Sequence, residues 1–181
     1  MNDIILETTR LALRLLSRDD IPALRAMLQD PRVMYAYEGP FSEEMVQQWY
    51  LRQQERYTKD GFGLWSVIEK ESDNWIGLCG LTIQNLNGND VVEVGYQLTY
   101  ANWHKGYATE AAKGCMEYAM EHLGIDVVYS IIRDTNKASM RVAERNGMRP
   151  AGAVVKYYRG IEMPHIVYMK TNSIIQRKAD T

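Results

Sequence analysis

The sequence predicts an α+β (α/β) fold in which a mixed, mostly antiparallel sheet is flanked by helices. Three observations carry that expectation. The middle of the chain, 64–98, holds three stretches of strand period joined by short polar connections. Two amphipathic helical segments precede it, and a glycine-punctuated loop at 103–106 leads from the last of those strands directly into another helix. With 181 residues, 46% hydrophobic and 24% charged, the chain suits one domain, taken as 1–170, and a polar tail, 171–181.

In order, Leu11, Leu13 and Leu15 alternate with Ala12 and Arg14, which reads as a first strand. The short polar side chains of Ser17-Arg18-Asp19-Asp20 end it and cap a helix that turns Ile21, Leu24 and Leu28 inward. Asp30-Pro31 stops that helix, a second short helical piece begins there, and Tyr37-Glu38-Gly39-Pro40 forms a loop. Ser42, backed by Glu43 and Glu44, opens the next helix, whose Val46, Trp49, Tyr50, Gln53 and Tyr57 share one face. This helical hairpin borders any acceptor site. Strands follow at 64–69, 75–84 and 91–98 as an antiparallel meander, with connections at 70–74 and 85–90. The helix after the glycine loop carries Ala108, Ala112, Cys115, Met116, Ala119, Met120 and Leu123 as an apolar stripe, and Gly124 closes it. A β-branched strand at 127–133, a short helix opened by Asn136 and ended by Asn146-Gly147, and two strands at 154–158 and 161–170 around Arg159-Gly160 complete the order, giving six to seven strands.

Composition removes several classes of function. The net charge is −2, with 21 Lys and Arg dispersed among 23 Asp and Glu, so no nucleic-acid footprint is expected. No apolar run is long enough for a membrane span and no secretory signal is readable, which makes the cytoplasm the expected compartment. Cys79, Cys115, His104, His122 and His165 lack metal-type spacing, so neither a metal site nor a disulfide framework is expected. The Gly-x-x-x-x-Gly-Lys-Ser/Thr phosphate loop of NTPases does not occur.

The stretch 103–112, Trp-His-Lys-Gly-Tyr-Ala-Thr-Glu-Ala-Ala, is the most informative in the chain. The first turn of a helix leaves backbone N–H groups without intrahelical partners and carries about half a positive charge, so a pyrophosphate binds there. Gly106 permits close approach, and Ala108, Thr109, Ala111 and Ala112 keep the turn slim. Glu110 suits the dipole without a catalytic duty.

Three segments in this order, 92–98 (Val-Glu-Val-Gly-Tyr-Gln-Leu), 103–112 and 136–148 (Asn-Lys-Ala-Ser-Met-Arg-Val-Ala-Glu-Arg-Asn-Gly-Met), resemble the GCN5-related N-acetyltransferase (GNAT) superfamily, and within it the branch that acetylates ribosomal-protein N-termini (RimJ/RimL-type). The resemblance covers roughly 6–170. It departs at Trp103, where the family's acetyl-coenzyme A signature usually begins with Gln or Arg; backbone N–H groups hold the phosphates, so binding survives the change. The resemblance implies a sheet that splays between its fourth strand, 93–98, and its fifth, 127–133, with the pantetheine arm of acetyl-coenzyme A in the gap. The backbone at Gln97, Leu98 and Thr99 would bind the pantetheine amides, the N–H groups of His104, Lys105, Gly106, Tyr107, Ala108 and Thr109 the pyrophosphate, and Asn136 the far end of the arm.

Acyl transfer to an amine needs a proton acceptor, donors for the thioester oxygen and a proton for the departing thiolate. Glu93, on the strand beside the thioester and partly desolvated, is the first choice for the base, with His165 the rival. Many relatives place an acidic tyrosine where this chain has Ala143, so the thiolate proton falls to Ser139, which matches the serine of the ribosomal-protein branch. Tyr96, Tyr157 and Tyr168 read as core or cavity wall. The activity expected is direct acetyl transfer in a ternary complex to a primary amine, on a small molecule or a peptide N-terminus; the competing reading is a noncatalytic acyl-CoA-binding module. Peptide N-termini, amino acids, polyamines and amine antibiotics stay open as acceptors, as does dimerisation through the final strands.

Overall fold

The computed structural model describes residues 4–36, 39–158 and 160–172. Among the described residues, eight strands form one sheet in the order β1-β2-β3-β4-β5-β6-β8-β7. They are β1 (Ile4–Glu7), β2 (Leu11–Arg14), β3 (Leu64–Glu69), β4 (Asn74–Leu86), β5 (Asn89–Leu98), β6 (Val127–Arg133), β7 (Arg149–Tyr158) and β8 (Ile161–Thr171). The helices are α1 (Ile21–Leu28), α2 (Glu43–Lys59), α3 (Tyr107–Glu121) and α4 (Lys137–Arg145), with single 3-10 turns at Arg18–Asp20, Met34–Ala36 and Tyr100–Asn102. Residues 37 and 38 of the expected loop, Arg159 of the expected turn and 173–181 of the expected tail lie outside the described residues, while 171 belongs to β8.

The strand count exceeds the six or seven read from sequence. Ile4-Ile5-Leu6 is an unalternating apolar triplet with no strand period, yet it forms the edge strand β1, turned back onto β2 by the Thr8 N–H donating to the Leu11 carbonyl at 2.8 Å. Strand β7 starts at Arg149 rather than 154, because Pro150 and Gly152 sit at a register shift against β8 instead of in a loop. The caps of α2 and α4 form as expected, whereas Ser17 and Asp20 close the 3-10 turn Arg18–Asp20 ahead of α1. The Ser42 hydroxyl accepts from the Met45 N–H at the start of α2, and the Asn136 side chain accepts from the Ser139 N–H at the start of α4.

Two apolar clusters sit on opposite faces. On one, Tyr107, Ala111, Ala112, Cys115, Met116 and Ala119 of α3 pack on Trp65, Cys79, Leu81 and Val94. On the other, Leu24, Met27 and Leu28 of α1 and Val46 and Tyr50 of α2 pack on Leu78. Strand alternation sets this division, since Cys79 and Leu81 face α3 while Leu78 faces the helical hairpin. A polar knot closes the hairpin side. Asp20 accepts from Arg14 through both guanidinium nitrogens at 2.7 Å, from the Ser17 N–H at 2.9 Å and from the buried Ser66 hydroxyl at 2.9 Å. Burial drives this carboxyl up, but the Arg14, Ser17 and Ser66 donors outweigh it and hold the group below its ordinary range.

The one parallel contact among the described residues decides where a site opens. Strands β5 and β6 pair only at Val92 with Val128 and Glu93 with Tyr129. Beyond those two pairs they diverge, which is the expected splay, one strand number later because β1 precedes it.

Candidate active site

The cradle is built from an unusual backbone. Gly106 is the N-cap of α3 at φ 83°, a left-handed conformation that glycine adopts without steric cost, and His104 two residues earlier has φ 61°. Because the first intrahelical bond runs from the Glu110 N–H to the Gly106 carbonyl at 3.1 Å, the amides of Tyr107, Ala108 and Thr109 have no hydrogen-bond partner among the described residues. They point past an exposed rim of His104, Lys105 and Gly106. Lys105 rests its ammonium on the Asn102 side-chain oxygen at 3.1 Å. The result is a cluster of free donors with a cation at its edge, which suits an anion.

The gap beside the cradle offers backbone groups as well. The Thr99 N–H donates to the Ile76 carbonyl at 3.0 Å, and its carbonyl accepts from the Asn102 N–H at 2.9 Å. Backbone direction alternates along a strand, so Gln97 also turns its N–H and C=O toward β4, while Val94, Tyr96 and Leu98 turn theirs toward β6 and the gap. The Ser130 hydroxyl, donating to the Val94 carbonyl at 3.5 Å, fits that assignment. Of the three backbone positions read from sequence, Leu98 thus faces the gap, with one lone pair of its carbonyl taken by the Trp103 indole N–H at 2.9 Å; Gln97 and Thr99 face away. Asn136 stands across the gap, where its side-chain oxygen also accepts from the Tyr35 hydroxyl at 3.1 Å and its amide nitrogen is unengaged among the described residues.

Glu93 occupies the point where the two strands part. Its carboxylate accepts from the Ile131 N–H at 2.9 Å, replacing the ladder bond that the divergence removes. Burial raises the affinity of this carboxyl for a proton, against the lowering pull of that amide, of Lys156 and Arg56 at longer range, and of the Thr82 hydroxyl. Ser139 is half-buried in the first turn of α4, with its hydroxyl beside the Tyr96 phenol. Its carbonyl accepts from the Tyr96 hydroxyl at 3.0 Å, which ties α4 to β5 across the gap. Burial pushes the Tyr96 phenol well above its ordinary range, so this hydroxyl acts as a fixed donor. His165 lies on β8 with Nδ1 2.7 Å from the Met163 carbonyl, and burial lowers its proton affinity. Register places Glu93, Tyr129, Arg133 and His165 on one sheet face. Cys79 and Cys115 are both fully buried with their sulfurs 3.5 Å apart, on the opposite face.

The sequence profile of the acetyltransferase (GNAT) domain matches residues 10–149. The chain belongs to the GNAT acetyltransferase family. Among its relatives is the uncharacterized protein YkkB of Bacillus subtilis, 31% identical over 157 residues, which span 86% of this chain and 91% of that protein. Among solved structures, a GNAT-family acetyltransferase from Bacillus anthracis shares the fold with a TM-score of 0.78 at 22% identity, covering 92% of this chain and 97% of that one. So does RimL, the ribosomal L7/L12 α-N-protein acetyltransferase, in its complex with coenzyme A, with a TM-score of 0.76 at 19% identity over 93% and 98% of the two chains.

In this GNAT chain the cradle is fastened by residues that motif reading passed over. Arg10, in the β1–β2 turn, donates to the Lys105 carbonyl at 3.0 Å, pairs with Glu110 at 2.7 Å and lies over the Tyr107 ring at 4.5 Å. The Thr8 hydroxyl donates to Glu110 at 2.7 Å. Glu110 therefore does more than suit the dipole, since it anchors the first turn of α3 to an edge hairpin about a hundred residues earlier in the chain. On its inner side Tyr107 donates to Glu69. No helix among the described residues is long and apolar enough to cross a membrane.

Proposed function

We propose that this protein is an N-acetyltransferase that transfers the acetyl group of acetyl-coenzyme A to a primary amine, on a small molecule or a peptide N-terminus, by direct attack in a ternary complex. The observation that carries the reading is Glu93, a half-buried carboxylate with few donors at the fork of the sheet, next to a gap toward which backbone groups turn. Acetyl-coenzyme A, as co-substrate, supplies the activated acetyl thioester. The free amides of Tyr107, Ala108 and Thr109, with the rim of His104, Lys105 and Gly106, fit its pyrophosphate. Val94, Tyr96 and Leu98 offer the backbone for its pantetheine arm, and the Asn136 amide meets the arm from the other side.

Glu93 takes the proton that the amine loses as its nitrogen bonds to the acetyl carbon, directly or through one water. Ser139 relays a proton to the sulfur as the carbon–sulfur bond breaks, its hydroxyl giving one proton and taking another from a solvent water. A cysteine-bound acyl intermediate is disfavoured: both thiols are buried against each other, and burial drives the Cys115 thiol up, away from thiolate. The test is free-thiol release from acetyl-coenzyme A over peptides, amino acids, polyamines and aminoglycosides, with Glu93→Gln and Ser139→Ala beside the natural protein. Release above the blank, lost in the variants, is expected. Saturable coenzyme binding without release on any amine favours instead a noncatalytic acyl-CoA-binding protein.

A further inference from the structure

The amine that this site takes is written in the charges around Glu93, and the inference rests on the acetyl-transfer reading above. Through β5–β6 and β6–β8 pairing, Glu93 shares a sheet face with Tyr129, Arg133 and His165. Through β7–β8 pairing, Val154 and Lys156 join that face opposite His165 and Met163. Lys156 acts electrostatically on both Glu93 and His165, and Arg56 of α2, the helix on that face, acts on Glu93. Of the acidic groups here, Asp134 acts on His165, and Asp20 on the same face is taken up by Arg14.

Several cations of the chain are matched by a carboxylate. Arg10, Arg14, Arg25 and Arg32 each pair with a carboxylate at 2.5–2.7 Å. Lys156 and Arg56 do not. Both are half-buried; Lys156 has no hydrogen bond or ion pair among the described residues, and the partner of Arg56 is the neutral Gln53 side chain at 3.5 Å. A half-buried cation without a carboxylate partner is open to one brought by a ligand.

We propose that the acceptor is an amine that also carries a carboxylate, which Lys156 and Arg56 hold while its amino group faces Glu93. A polyamine or an aminoglycoside would bring further positive charge against both walls. The site would thus select amino acids over purely cationic amines by charge, with Lys156 the principal specificity-determining residue.

The experiment measures initial rates of thiol release with free α-amino acids, the same amino acids as carboxamides, and spermidine, for the natural protein, Lys156→Ala and Lys156→Arg. The expected result is kcat/KM at least tenfold higher for the free acids than for the amides, carried by KM, as a charge-assisted contact contributes. Lys156→Ala should collapse that ratio about tenfold or more, and Lys156→Arg should restore most of it. Amides or spermidine used as well as the acids would overturn the inference and leave acetyl transfer standing. So would a ratio unchanged in Lys156→Ala while both rates fall together, because Lys156 would then act on Glu93 rather than on the acceptor. The absence of release with every amine would overturn acetyl transfer itself, and this inference with it.

Discussion

Two carboxylates withdrawn from solvent, Asp20 buried and Glu93 half-buried, stand on the face of the sheet that carries α1 and α2, and the chain treats them oppositely. Asp20 is saturated: a two-pronged arginine, an amide and a serine hydroxyl all donate to it, and their combined pull defeats the cost of burial. Glu93 is starved: one amide at 2.9 Å and the Thr82 hydroxyl are its donors, its cations stay at longer range, and burial prevails. Asp20 therefore keeps its charge and serves the fold, whereas Glu93 holds its proton more readily and stays open to exchange it. The difference lies in the number of donors each environment provides, since the chemical group is the same.

That contrast breaks or sharpens under substitution. The largest effect is expected for Glu93→Gln, with kcat reduced 10²–10⁴-fold as for loss of a working base. Its amide oxygen still accepts from Ile131, so the melting temperature at neutral pH should hold or rise as a desolvated charge disappears; a rate loss within threefold removes Glu93 from the mechanism. Asp20→Ala leaves Arg14 without its partner and should cost about 3–5 kcal/mol in denaturant titration, with the rate per folded molecule retained. Ser139→Ala is expected to lower kcat about 10²-fold with little change in coenzyme affinity, read by single-turnover thiol release. Tyr96→Phe removes the tie between β5 and α4 and should cost about 1 kcal/mol of stability in the same titration.

The smallest effects lie in the pH dependence of stability, and their signs differ. The contribution of Asp20 is present above the unfolded carboxylate range and is lost as pH falls through its lowered folded value. Glu93 is the reverse: its contribution is present below the unfolded value and is lost as pH rises through its raised folded value. Stability curves of the two variants against pH should diverge accordingly, and the rising limb of kcat/KM should vanish in Glu93→Gln.

Local signals were legible in the sequence, and pairwise ones were not. Ser42 and Asn136 cap their helices as their types and places require, because a cap is decided within four residues. The cradle at Gly106 was equally readable from one loop. Which way the backbone faces at 97–99 was not, because alternation fixes the period while only the pairing of β5 with β4 fixes the phase. The clasp of Arg10 on Glu110 was hidden for a related reason: the two residues lie a hundred positions apart, and each alone reads as an ordinary surface charge. The edge strand β1 escaped because three consecutive apolar residues carry no period.

The paired thiols of Cys79 and Cys115 bear on how the chemistry can be watched. The chain has two cysteines, and both are sealed between β4 and α3. A disulfide reagent that colours on meeting a free thiol will therefore report released coenzyme A against a silent protein, with no cysteine substitution needed. The same reagent turns into a gauge of unfolding once the core opens, since the two sulfurs become reactive together. One dye thus counts turnovers while the protein is folded and counts molecules as it is lost.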